Sequence, residues 1–152
     1  MLGSLSQQEM EQLLLRNVTG RIGCRDGDRI YIVPVSYVYH DKSIIAHSTE
    51  GLKIKMMRKT PDVCFEVDEI QDMANWQSVI GTGRFEEIHG EKEKYYAMKF
   101  LVSRLLHMRV SETAHLPHMV TDGGEEVSLT TSVRPVVYRI RFEFMTGRYE
   151  KT

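Results

Sequence analysis

The segment His47-Ser48-Thr49-Glu50-Gly51-Leu52-Lys53 is where residue types and spacing come nearest to a binding chemistry. It runs from the end of a strand-like stretch, through a glycine turn, into a helical pattern. A helix start presents amides without intrahelical partners and the positive end of the helix dipole. Ser48 and Thr49 add hydroxyl donors and Lys53 adds a cation, the donor set that a phosphate group requires. The same residues also fit an ordinary strand-to-helix turn, with Ser48 or Thr49 as a cap and Lys53 in solvent. A second stretch, Asn75-Trp76-Gln77-Ser78-Val79, sets the only tryptophan beside two polar side chains at a strand start. That mixture suits a flat aromatic ligand and suits a core tryptophan equally.

Other chemistries lack their residues. Gly81-Thr82-Gly83 is half of a GxGxxG pattern and lies inside a strand, so it is no dinucleotide fingerprint. There is no phosphate loop ending in Gly-Lys-Ser/Thr, no HExxH and no GxSxG. His115-Leu116-Pro117-His118 places two imidazoles three apart, with His107 eight before them, but no carboxylate or thiolate pattern completes four ligands. These read as loop histidines, and no metal is expected. Cys24 and Cys64 lack a CxxC spacing and each falls in a strand beside apolar neighbours. They read as buried, inert thiols, too few for a disulfide scaffold.

The elements that must position these residues follow from periodicity. Ser6-Gln7-Gln8-Glu9 is a capping box, opening a helix to about residue 16 with Met10, Leu13 and Leu14 on one stripe. Strands are predicted over 18–24, 29–40, 43–48, 62–70, 76–88 and 136–144, and helices over 51–59 and 91–107. In the second strand Ile30, Ile32 and Val38 alternate with Tyr31, Val33, Val35, Tyr37 and Tyr39. Both faces are apolar, so the outer one must meet another element, a subunit or a ligand. Pro34 within it removes an amide donor, which places an interruption or a sheet edge there. Gly81 and Gly83 suit a bulge or a tight corner of a closed sheet. A polar stretch over 109–126 is long enough to be a functional loop. The order is mainly antiparallel β with peripheral helices, one domain over 1–152, in the size range of a small closed barrel.

Composition narrows the partners. The 152 residues are 41% hydrophobic and 27% charged, as in an ordinary globular domain. Twenty Lys+Arg against twenty-one Asp+Glu leave a net charge of −1, without the basic excess of a nucleic-acid binder or a polybasic membrane protein. No stretch approaches the ~20 apolar residues of a membrane span, and the first residues lack a basic leader region. No nucleic acid, no membrane and a cytoplasmic location are expected.

Taken in order, five segments resemble a known family: Gly20-Arg21-Ile22-Gly23-Cys24; Tyr31-Ile32-Val33-Pro34-Val35-Ser36-Tyr37; the His47–Lys53 turn; Pro61-Asp62-Val63-Cys64-Phe65-Glu66-Val67-Asp68; and Trp76-Gln77-Ser78-Val79 with Gly81 and Gly83-Arg84. Their order and spacing are similar to the pyridoxamine phosphate oxidase-related FMN-binding split barrels, nearest the nitroimidazole-resistance flavoproteins. The resemblance covers about residues 10–105. It implies a six-stranded antiparallel split β-barrel that forms a homodimer with FMN at the subunit interface, FAD being the alternative flavin. By this resemblance Pro34, Val35, Ser36 and Tyr37 line the isoalloxazine ring, His47, Ser48, Gly51 and Lys53 hold the phosphate, and Trp76, Gln77, Ser78 and Val79 flank the ring. Met145 and Arg148, in a C-terminal segment similar to one that reaches the partner's flavin, are further contacts. The resemblance also makes His47 the candidate catalytic residue, as proton donor or as an orienting group. The chain lacks the RxxLLK strand of true pyridoxamine phosphate oxidases, with Val33-Pro34-Val35-Ser36-Tyr37 in its place, which separates it from vitamin-cofactor synthesis.

The implied activity is an FMN-dependent oxidoreductase. NADH or NADPH would be the electron donor and a small electrophile, such as a nitroimidazole, the acceptor. The alternative is a non-enzymatic flavin- or haem-binding module, with His107, His115 or His118 as a haem ligand. A purely structural dimer is the third reading.

Overall fold

Ser6 opens the first helix as the capping box predicts. Its hydroxyl oxygen accepts from the Glu9 amide at 3.2 Å, and the Glu9 carboxylate accepts from the Ser6 amide at 2.7 Å. The structure is a computed structural model and describes residues 1–107 and 135–152. The elements are β1 (Leu2–Ser4), α1 (Gln7–Arg16), β2 (Thr19–Asp26), β3 (Arg29–Ser36), β4 (Val38–His40) and β5 (Ser43–Ser48), then α2 (Leu52–Lys59), β6 (Asp62–Asp72), β7 (Asn75–Glu87), α3 (Glu91–His107) and β8 (Val136–Glu150).

All strand pairs are antiparallel, in the order β3-β2-β6-β7-β8-β5-β4, with β1 added against the end of β8. The two ends of that order, β3 and β4, are halves of one run separated only by Tyr37. The hydrogen-bonded sheet is therefore not closed, yet the chain joins its edges covalently: a barrel split at one residue. The predicted count is six strands, and eight are present among the described residues. The two additions, β1 and β4, are three residues each. Tyr37 divides the predicted 29–40 strand because its backbone and side chain are bound elsewhere. Its amide donates to the Val18 carbonyl at 2.9 Å and its hydroxyl to the Leu14 carbonyl at 2.7 Å.

The core lies inside the barrel, with Ile22, Ile44, Phe65, Val67, Tyr138 and Ile140 sealed by Leu13 and Leu14 of α1 and Ile54, Met56 and Met57 of α2. α3 lies outside it, with Ala97 and Met98 over Ile45 and Val137. Two differences from the sequence expectation trace to strand geometry. Cys64, expected to be buried, is exposed, because β6 turns Val63, Phe65 and Val67 inward and the residues between them outward. Phe144, which strict strand alternation with the buried Phe142 would turn inward, is 58% exposed. Between Thr82↔Phe144 and Gly83↔Phe142 the register slips by one, leaving Glu143 as the extra residue of a β-bulge that reverses the alternation.

Two core tyrosines make opposite predictions. Tyr37 is fully buried with its hydroxyl satisfied, whereas the buried Tyr138 hydroxyl has no hydrogen-bond partner among the described residues. Tyr37→Phe is expected to cost about 1–2 kcal/mol in urea denaturation, while Tyr138→Phe is neutral or stabilising. Equal losses from both would show that the Tyr37 bond does not contribute.

Candidate functional site

In the turn after β5 neither Ser48 nor Thr49 caps the helix. Gly51 occupies the N-cap of α2, and no side chain caps the helix. Ser48 instead donates to the Thr49 carbonyl at 2.9 Å and accepts from Lys53 Nζ at 2.8 Å. The first-turn amides of α2 are thus left without a side-chain acceptor. Lys53 is not simply solvated: it is half-buried, and desolvation holds its ammonium below the usual lysine range. Among the described residues no carboxylate pairs with it. Glu50, the one acid in the turn, is drawn away by Arg58, whose two terminal nitrogens meet its carboxylate at 2.7 and 2.8 Å. Arg58 also binds Glu87 at 2.8 and 2.9 Å, fixing the turn to β7. A hydroxyl, a partly desolvated ammonium and uncapped amides together make an electropositive turn that fits a phosphate monoester.

His47 leaves β5 on the opposite face from Ser48. β5 stays paired through Ser48↔Val136, so neighbouring residues face opposite ways. His47 is half-buried on the side of Ile45 and Val137, beneath α3, while Ser48 shares the face of Ala46.

On β3 the alternation sorts the predicted ring contacts. Pro34 and Ser36 are exposed on the outer face, whereas Val35 is half-buried against the core and Tyr37 lies within it. Pro34 is tolerated because β3 ends the strand order and needs no second ladder. Across the split, β4 pairs with β5 from Val38↔Ile45, so the Ser36 end of β3 leads back toward Ser48. Ser36 and the turn after Ser48 thus lie at the same end of the split.

The Trp76–Val79 stretch is divided. The Trp76 indole donates to Glu150 at 3.2 Å, and Trp76 and Ser78 border an outer cleft with Glu66, Asp68, Ile70 and Met73. Gln77 turns the other way, donating to Glu69 at 3.1 Å beside a cleft of about 400 Å³ between α1 and the β6–β7 hairpin. Val79 is 1% exposed, in the core. Met145 is half-buried against the core, and Arg148 is exposed in register with Ser78.

Register reveals a feature that residue spacing does not. Across β3-β2-β6-β7-β8 the outer face reads Ile32–Gly23–Cys64–Thr82–Phe144 in one row and Pro34–Arg21–Glu66–Ile80–Thr146 in the next. Ile30, Ile32, Ile80 and Phe144 are exposed on it, Ile32 by 69%. Arg21 lies 3.4 Å from both Glu66 and Asp68. Burial, then the hydrogen bond and charge of Asp68, push the Glu66 carboxyl up to about 7 against the opposing pull of Arg21. Two acids two apart on a strand were visible beforehand; the arginine that meets them is placed only by strand pairing.

His115, His118 and the polar stretch 109–126 lie outside the described residues, as does the side chain of His107. Among the described residues no group of three His, Cys, Asp or Glu could hold a metal, and no helix is long and apolar enough to cross a membrane.

An eight-stranded antiparallel sheet split beside an electropositive turn defines the class of small split barrels. The chain belongs to the pyridoxamine 5'-phosphate oxidase family, whose sequence model matches residues 6–149. Its fold is that of an FAD-binding protein from Mesorhizobium loti, at 30% identity and a TM-score of 0.76 over 99% of both chains. A candidate 5-nitroimidazole antibiotic resistance protein from Bacteroides thetaiotaomicron shares the fold at 19% identity and a TM-score of 0.71, over 98% of this chain and 87% of that one. The flavocytochrome Anf3 from Azotobacter vinelandii does so at 17% and 0.67, over 97% and 68%. An uncharacterised protein of Rhizobium meliloti is 31% identical over 84 residues, 55% of this chain, so the match spans about half (56%) of that curated relative.

Proposed function

We propose that this chain binds a flavin nucleotide, FMN by preference, along the split between β3 and β5, and works as a reductase of small electrophiles such as nitroimidazoles. The observation that carries the reading is the uncapped α2 N-terminus with Ser48 and the half-buried Lys53, an anion site without an anion of its own. Ser48, Lys53 and the amides after Gly51 hold the phosphate. Pro34 and Ser36 present the outer strand surface to the ring, while Val35 and Tyr37 supply backbone there and pack inward. A family neighbour that binds FAD supports a flavin in general, and FAD would use the same phosphate site. The bound flavin supplies two-electron transfer between NADH or NADPH and the acceptor. The protein's part is to orient it and to exclude water.

A homodimer completes the site in this reading. Pro34 and Ile80 share a row but are three strand spacings apart, ~14 Å. A ring lying on Pro34 is therefore not enclosed by Trp76, Ser78 and Arg148 of its own chain. The exposed isoleucines and Phe144 form a face that a second copy can cover. A net charge of −1 per copy offers little repulsion.

The test is an absorption spectrum of the purified protein with an FMN titration followed by Trp76 fluorescence. Saturable quenching and a yellow chromophore reducible anaerobically by NADH or NADPH are expected. No chromophore and no quenching would sink the reading. Lys53→Met is expected to weaken FMN binding about 10- to 100-fold, the loss of one charge-assisted contact, without changing the circular dichroism. Unchanged affinity would remove the turn from the site.

A further inference from the structure

The outer sheet face carries a charge arrangement that its apolar surroundings do not balance. Glu66 and Asp68 stand two apart on β6 and project from one side, and Arg21 reaches both at 3.4 Å. One guanidinium between two ionised carboxylates leaves an excess negative charge. Beside it lie Pro34 and Ile80 in the same row, with Ile32 and Phe144 in the next. Among the described residues the other charged or titratable groups on this side of the pair are Cys64 and Asp62 on β6, Asp72 in the adjoining cleft, Arg25 on β2, Arg84 on β7 in register with Asp62, and Arg148 on β8. The stretches 32–36 of β3 and 78–82 of β7 present none.

A second copy seated on this face takes water away from the pair. A carboxylate losing water without a full countercharge gains a proton instead. We propose that association of two copies through this face takes up protons at the Glu66–Asp68 pair, so that the dimer weakens as pH rises. The inference rests on the self-association reading above. It extends a tendency already present in the single chain, where burial and Asp68 raise the Glu66 carboxyl to about 7. Well below that value both the free and the associated chain hold the proton, and association does not depend on pH. Above it the free chain loses the proton that the dimer retains. Each proton taken up then weakens association about tenfold per pH unit, and a two-fold dimer takes up one per copy.

Sedimentation velocity of the full chain at about pH 6 and about pH 8 tests this, with an expected rise in the dimer Kd of at least about tenfold. Glu66→Gln, which carries no titrating group at that position, is expected to stay dimeric with a much flatter profile. Cys64→Ser is expected to keep the full dependence, separating the carboxyls from the thiol. A Kd that is constant, or tighter at the higher pH, overturns the proposal, because it shows the pair neutralised by the partner's cations. A chain that is monomeric at both pH values, and as Glu66→Gln, overturns the self-association reading itself.

Discussion

Ile32→Glu is expected to yield a folded monomer of 17.6 kDa that no longer retains flavin, in contrast to the dimer of twice that mass proposed for the parent chain. Ile32 is 69% exposed in the single chain, so the substitution changes monomer stability by no more than about 0.5 kcal/mol. Its consequence falls on the assembled state. Ile32 shares a row with Cys64 and Phe144, on the face proposed to be covered by a second copy. A carboxylate buried there without a partner costs several kcal/mol, and about 4 kcal/mol would weaken the dimer roughly a thousandfold. Loss of flavin follows if the partner encloses the ring. Light scattering coupled to gel filtration, with the flavin-to-protein absorbance ratio, checks both. A dimer of unchanged mass would place the interface elsewhere, and a monomer that keeps its flavin would confine the whole site to one chain.

Gly83→Ala is the substitution expected to damage the fold most. A Cβ at Gly83 would stand 2.0 Å from the Arg141 carbonyl oxygen, 2.7 Å from its carbon and 3.0 Å from Phe142 Cα. All three are backbone atoms of β8, so no side-chain rotation relieves the clash, and the strands must part where the bulge sets the register. The expected loss is about 3 kcal/mol or more, read as a fall in the urea midpoint. The bulge also decides which aromatic faces inward: Phe142 stacks near Tyr39 and Phe65 while Phe144 faces outward. A shift of register would exchange a core ring for a surface one. Gly27→Ala is the contrast, since its φ of +60° has no neighbour within 4 Å and carries only turn strain, about 1 kcal/mol. Equal midpoints for the two variants would show that β7 and β8 can separate at the bulge without loss.

Much of the fold was legible because its signals are local. The capping box, the stripe of Met10, Leu13 and Leu14, and the alternation through 62–70 each depend on a few neighbouring residues. The electropositive turn was legible for the same reason, since a glycine, hydroxyls and a lysine at a helix start need no distant partner. His47 and Val79 entered the candidate site through the family resemblance, and their residue types carry no signal of which way they face. In a strand, adjacent side chains separate to opposite faces, and only the pairing through Ser48↔Val136 and Val67↔Val79 shows which face each one takes.

The apolar character of both faces of residues 29–40 was the sequence's own statement that this run meets something beyond the barrel. The residue types also determined the antiparallel β class, the near-zero charge and the anion-friendly turn. Tertiary structure alone decided that the run breaks at Tyr37, where bonds to Val18 and Leu14 hold it, and so becomes both edges of one sheet. It alone brought Arg21 to Glu66 and Asp68, 45 and 47 residues further on, and turned Phe144 outward at the bulge. The physical reason is the same in each case. Periodicity records which residues avoid water, whereas strand pairing between distant segments sets which of them stand side by side.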